Sequence, residues 1–159
     1  MTEKSKHIYF ALSLAALLFL LGLIFYLSAQ TSAESSETSG GIIELIYKLL
    51  GISPEQEVIR TLAHFCEYAL LGFLFCNLFY SRYFKLKPII SAALSWGYAL
   101  SDETHQIFVD GRAFQISDLA VDFSGAALGC AVFCALIKLI LYIVKKKNNA
   151  KALITLLIG

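Results

Sequence analysis

The chain has 159 residues, 58% of them from the apolar set Ala, Val, Ile, Leu, Met, Phe, Trp, Tyr and Cys, and its 10 glycines raise that share to about 64%, against roughly 45–50% in a soluble domain. Charged residues make up 16% where about 25% is usual, so a water-soluble globule, a disordered tail and a nucleic-acid binder all fit poorly, and an integral membrane protein remains. The net charge of +1 says little as a total; the uneven placement of the charges says more.

Ile8 to Leu27 is free of charge, and at 1.5 Å per residue such a run crosses a hydrocarbon core of roughly 30 Å. Lys4, Lys6 and His7 before it and Ser28-Ala29-Gln30 after it would also suit a signal peptide. A signal h-region is only about 7–15 residues long, which favours a retained span. Ser28 to Gly41 is small and polar, the composition of a flexible connection. Ile42, Leu45, Ile46 and Leu49 then recur at helical spacing opposite Glu44, Tyr47 and Lys48, bracketed by Gly41 and Gly51, predicting a short amphipathic helix on the outer surface or capping the bundle. Ser53-Pro54-Glu55-Gln56 reads as a capping-box start, so the second long helix is predicted to begin at Pro54 and run inward through Tyr80.

Two further apolar stretches complete an all-α polytopic membrane protein of one domain over 1–159. Its four predicted spans lie at about 8–27, 62–80, 88–108 and 119–144, with external connections 28–61 and 109–118. Ten of the 13 basic residues fall at the N-terminus (Lys4, Lys6), in the turn between spans two and three (Arg82, Lys85, Lys87) and in the tail (Lys138, Lys145, Lys146, Lys147, Lys151). Lys48, Arg60 and Arg112 occupy the other two connections, with 11 of the 12 acids on that side. Both termini are therefore expected in the cytoplasm of a multi-pass cell-membrane protein, with His7 and the Lys145–Lys147 run as cytoplasmic surface.

Cys66, Cys76, Cys130 and Cys134 lie within the spans, where thiols act as small apolar groups, and no disulfide framework is expected. Only Cys66, near His64, is a thiolate candidate.

The polar residues inside the spans form faces. Arg60, His64 and Glu67 step by four and three on the second helix; Ser91, Ser95, Tyr98, Asp102 and His105 do so on the third, beside Gln106; Asp118, Asp122, Gly125 and Gly129 do so on the fourth. An acid facing lipid costs several kcal/mol, so three such stripes at one depth satisfy one another by converging. Gly125-Ala126-Ala127-Leu128-Gly129 offers a small-xxx-small surface for a neighbouring helix. The inference is an outward-opening polar pocket between spans two, three and four, lined by Arg60, His64, Glu67, Asp102, Glu103, His105, Gln106, Arg112, Asp118 and Asp122. Plainer roles stand beside this one. Asp118, after Ser117, suits N-terminal capping; Glu67 and Arg60 suit a structural bridge through His64; Arg112 suits an interfacial anchor as well as a phosphate fork.

Arg60 with Ala63-His64-Phe65, Glu67-Tyr68 and Leu71-Gly72, then Ser101-Asp102-Glu103-Thr104-His105-Gln106, Phe108-Val109 and Gly111-Arg112, and lastly Asp118 through Asp122 to Gly125 and Gly129, resemble the VanZ-like membrane proteins over about residues 20–140. Two positions depart from the family's pattern: Asp110 stands where proline is common, and Asp122 where Asn or Asp occurs. The resemblance implies a membrane protein of the cell envelope, a link to glycopeptide resistance through the founding member's association with low-level teicoplanin resistance, and lipid modification at the outer face.

An enzyme built on this pocket would take a membrane lipid or lipid-linked precursor, with Arg60 and Arg112 on its phosphate. His105, oriented by Asp102, would be general base or nucleophile, with Glu67 or Glu103 as acid. A non-enzymatic module binding a lipid head group or the glycopeptide, or a purely structural polar cluster, are the alternatives. His64, Glu67, His105 and Asp122 are metal-ligand types, but no paired-ligand motif such as His-Glu-x-x-His is present, so no cofactor is predicted and a divalent metal held by these four is the lesser alternative.

Overall fold

The computed structural model describes residues 2–158, with side chains from Thr2 to Lys147; Lys151, counted above in the basic tail, has its side chain outside the described set. Five helices follow in order: α1 (Glu3–Ser28), α2 (Ser32–Leu50), α3 (Gln56–Tyr83), α4 (Pro88–Gln106) and α5 (Ile116–Ile158), with no strand among the described residues. Three helical stretches are long and apolar enough to cross a membrane: Glu3–Ser28, Gln56–Tyr83 and Ile116–Lys147. The fourth expected span, 88–108, falls on α4, which is not among these three. The 19-residue α4 falls short because Asp102, Glu103, His105 and Gln106 crowd its last turns.

α3 is the hub, touching each of the other four helices. Its closest partner is α5, and glycine explains why. A Cβ on Gly125 would run into the Phe65 carbonyl, one on Gly129 into that of Ala69, and one on Gly72 into that of Ala126. The predicted small-residue surface of α5 therefore lies on α3, backbone nearly against backbone. Around this contact Leu17, Leu20 and Ile24 of α1 pack with Tyr68, Leu71, Ala99 and Ala126. Toward the other end Cys76, Cys130 and Phe133 form a second cluster. All four cysteines are free.

Polar ties lock the helices in register. Tyr98 Oη donates to the Leu21 carbonyl at 2.7 Å, Tyr9 Oη to Asn77 Oδ1 at 2.5 Å, and Asn77 Nδ2 to Ser13 Oγ at 3.0 Å. The buried hydroxyls of Ser91 and Ser95 bond the carbonyls four residues back, at 2.9 Å each, so these members of the α4 stripe serve the helix itself. The outer faces stay apolar, as Phe19, Ile89 and Leu141 illustrate.

The first long connection differs from expectation. The segment predicted to be flexible and the amphipathic stretch after it form one helix, α2, beginning at Ser32. Its start is a capping box: Glu34 N–H donates to Thr31 Oγ1 at 3.3 Å while Glu34 Oε2 accepts from Thr31 N–H at 2.8 Å. Thr38 and Ser39 turn their hydroxyls back onto helix carbonyls, which keeps the polar run helical. Gly41 lies inside the helix; Gly51, at φ 71°, ends it. α3 starts at Gln56 rather than Pro54, its N-cap is Glu55, and no side chain caps it, so the Ser53 capping box is not formed. α5 starts at Ile116, which leaves Asp118 in its first turn.

Candidate functional site

The C-terminal ends of α1 and α4, the starts of α3 and α5 and the first part of α2 meet at one end of the bundle. There a cleft of about 140 Å³ is walled by Ile24, Leu27, Ser28 and Gln30 of the α1 end, Ser35, Thr38, Ser39 and Ile42 of α2, Arg60, His64 and Glu67 of α3, Asp102 of α4 and Arg112. The expected pocket is corrected in its walls: α1 and α2 enclose it together with α3 and α4, and α5 supplies none of its lining residues. A neighbouring polar cleft of about 330 Å³ is lined by Ser36, Gln56, Glu57, Arg60, Thr61, His64, Gln115 and Asp118. Arg60 and His64 belong to both.

Arg112 reaches the cleft from a turn. Gly111 sits at φ 73°, a left-handed conformation that favours glycine. The Arg112 N–H donates to the Val109 carbonyl at 3.1 Å, and the Ser32 N–H ties the turn to α2 through the Asp110 carbonyl at 3.2 Å. Among the described residues the ion pairs are Lys6–Glu3, Lys48–Glu44 and His64–Asp122, so neither Arg60 nor Arg112 has a carboxylate within salt-bridge reach. Burial and the neighbouring Arg60 guanidinium push the Arg112 side chain below its ordinary value, and its Nε is buried without a hydrogen-bond partner. The two guanidiniums share the cleft with Glu67 and Asp102 but are paired with neither, which leaves both free to hold an anion, and phosphate matches their fork geometry.

The imidazole expected to do the chemistry stands elsewhere. His105 lines neither cleft; its ring packs on Phe25 of α1, centroids 4.9 Å apart. No hydrogen bond joins it to Asp102, and its Nδ1 is buried without a partner. Three residues of α-helix leave two side chains about 60° apart around the axis, and the packing of α4 turns Asp102 inward and His105 to the α1 edge. The histidine–carboxylate pair that does form is His64 Nδ1 with Asp122 Oδ1, at 3.2 Å. Glu67 lines the cleft with no hydrogen bond or ion pair to any described residue, whereas Glu103 is buried and accepts the Gln115 N–H at 2.8 Å. Gln106 is buried with its Nε2 unpartnered, and Asp118 lines the polar cleft from the first turn of α5, where its carboxylate accepts from the Ser117 hydroxyl at 3.4 Å and its charge suits the helix dipole.

Sequence reasoning missed the α2 wall and Gln115. The spacing of Thr31 and Glu34 was the available signal for α2; the contact of Gln115 with Glu103 spans a loop and has none. His64, Glu103 and Asp122 are the described residues whose donor atoms lie close enough together to hold a metal ion, a set that includes neither Glu67 nor His105.

Residues 13–146 match the family described as VanZ/LLP1. No curated protein and no solved structure compared with the chain matches it.

Proposed function

The chain belongs to the VanZ/LLP1 family, and from that premise we propose that it is a multi-pass protein of the cell membrane whose cleft takes the phosphate of a lipid head group or lipid-linked cell-envelope precursor and modifies it. The observation that carries this reading is the pair Arg60 and Arg112, which wall one cleft from a helix and a loop without a carboxylate partner. In this reading α4 crosses the membrane with α1, α3 and α5. The basic residues at both termini and in the α3–α4 turn face the cytoplasm, which puts the cleft at the outer face.

The apolar part of the cleft, Ile24, Leu27, Ile42 and Ile59, suits the first methylenes of a lipid below its head group. Arg60 and Arg112 hold the phosphate, and Glu67, with no internal partner, exchanges a proton with the bound head group. His64 is held in place by Asp122. A change in the lipid-linked precursor population at the outer face would alter susceptibility to teicoplanin, which acts there.

The experiment compares lipids by mass spectrometry from cells overexpressing the wild type, Glu67→Gln, or Arg60→Gln with Arg112→Gln, together with the lipid that copurifies with each protein. The wild type is expected to produce a head-group species that both variants lack, while Glu67→Gln still copurifies with the phosphate-bearing lipid. Lipid retention with no new species from the wild type would replace modification by binding alone. Neither retention nor a new species would remove the proposal.

A further inference from the structure

At the wall of the head-group cleft, three helices bring together a set of groups to which that reading gives no chemical step. His64 on α3, Glu103 on α4 and Asp122 on α5 each place a donor atom within 4.8 Å of the other two. Glu103 and Asp122 are both 0% exposed, and each has one oxygen engaged and one left over. Glu103 Oε2 accepts the Gln115 N–H at 2.8 Å and Asp122 Oδ1 lies 3.2 Å from His64 Nδ1. Glu103 Oε1 and Asp122 Oδ2 have no hydrogen-bond partner.

Two wholly buried carboxylates with a free oxygen apiece are costly unless a cation takes them. The arginines do not, since Arg60 and Arg112 pair with no described carboxylate, and among the described residues the cationic side chain within salt-bridge distance of either acid is His64, beside Asp122. A proton shared between the acids would neutralise one charge; a divalent ion neutralises both and takes an oxygen of each carboxylate. We infer that His64, Glu103 and Asp122 bind a divalent first-row transition cation.

The donor set selects the class. Imidazole suits zinc and its neighbours, carboxylate suits manganese and magnesium, and a mixed set with no sulfur suits Zn²⁺ or Mn²⁺. Donors about 2.0–2.1 Å from a tetrahedral ion lie roughly 3.3 Å from each other, and His64 Nδ1 and Asp122 Oδ1 stand 3.2 Å apart. Glu103, on the last turns of α4, has to close the remaining distance. Three protein ligands leave a position open, the pattern of catalytic rather than structural sites. His64 belongs to the walls of both clefts, so the ion is reached through the polar one, past Glu57 and Asp118. Water or a phosphate oxygen of the head group fills the open position; that last point alone rests on the function proposed above.

The test uses the full chain in detergent, stripped with a chelator and titrated with Zn²⁺, then with Mn²⁺. The wild type is expected to bind about one ion per chain, with zinc neighbours of nitrogen and oxygen at about 2.0–2.2 Å by X-ray absorption and none of sulfur at about 2.3 Å. Glu103→Gln and Asp122→Asn, which keep volume and remove charge, should each weaken binding by about tenfold to a hundredfold or more. His105→Ala and Arg60→Gln with Arg112→Gln should leave it unchanged, so that loss of lipid and loss of metal are separable. If a variant fails to fold, the wild-type stoichiometry and ligand shell still decide. No binding by the wild type, a sulfur shell drawn from Cys76, Cys130 and Cys134, or unchanged affinity in both folded carboxylate variants would overturn the proposal.

Discussion

Single side chains at this site divide into those with a partner and those without, and the division fixes what each substitution does. Asp122→Ala removes the partner of His64 and is expected to lower folding stability by about 1–3 kcal/mol, because a half-buried imidazole loses its acceptor. Arg112→Gln strands no described carboxylate and should leave stability within about 0.5 kcal/mol of wild type while abolishing retention of a phosphate-bearing lipid. Thermal unfolding in detergent checks both, and an Arg112→Gln protein as unstable as Asp122→Ala would show that Arg112 is a structural anchor. The stripes carrying Arg60, His64, Glu67, Asp102 and Asp122 were legible in the sequence because residues three and four apart share a helix face. Which histidine enters the cleft was not. His64 and His105 have equivalent spacing relative to their acids, and the choice depends on how α4 is rotated about its axis, which the contacts Phe25–His105 and Leu21–Tyr98 decide across 77 to 80 residues of chain.

At the scale of elements, the α3–α5 contact and the cap of α2 are the two features with the sharpest expectations. Gly129→Ala would press a methyl into the Ala69 carbonyl, whereas a Cβ on Gly97 meets nothing within 4 Å. The first should cost about 1–3 kcal/mol. The second should be neutral or stabilising by up to about 1 kcal/mol. Equal effects on the yield of folded protein would contradict the packing described. α2 depends on Thr31 and Glu34. Hydrogen bonds from Thr31 hold the Glu34 carboxyl below its ordinary 4.5, so its contribution is present above that value and is lost as pH falls through the lowered one. Amide exchange in the first turn of α2 should accelerate on acidification over that window in the wild type. In Thr31→Ala it should already be fast at neutral pH, by the loss of a cap typically about 1 kcal/mol. The amphipathic half of α2 was legible from Ile42, Leu45, Ile46 and Leu49. Its first half was obscured by serines, threonines and the Gly40–Gly41 pair, whose usual preference for loops is overridden here by a capping box and by hydroxyls bonded back into the helix.

For the whole molecule, the excess of apolar residues made the membrane class readable before any element was placed. The number of spans was less so, because α4 combines a 19-residue length with a charged end that its neighbours bury. The orientation proposed from the basic residues has a direct check: a cysteine at Glu37, exposed on α2, should label with an impermeant thiol reagent on intact cells, and one at Lys146, exposed near the end of α5, should not. Reversed labelling would put the cleft on the cytoplasmic face. The central claim is that the cleft exists to hold a phosphate-bearing lipid, and native mass spectrometry of the purified full chain tests it most directly. Short-chain phosphatidic acid and the matching diacylglycerol are offered in competition. The account expects the wild type to retain the phosphate lipid alone, and the Arg60→Gln with Arg112→Gln protein to retain neither. Retention of both lipids alike, or retention of the phosphate lipid by the double variant as well as by the wild type, would contradict it.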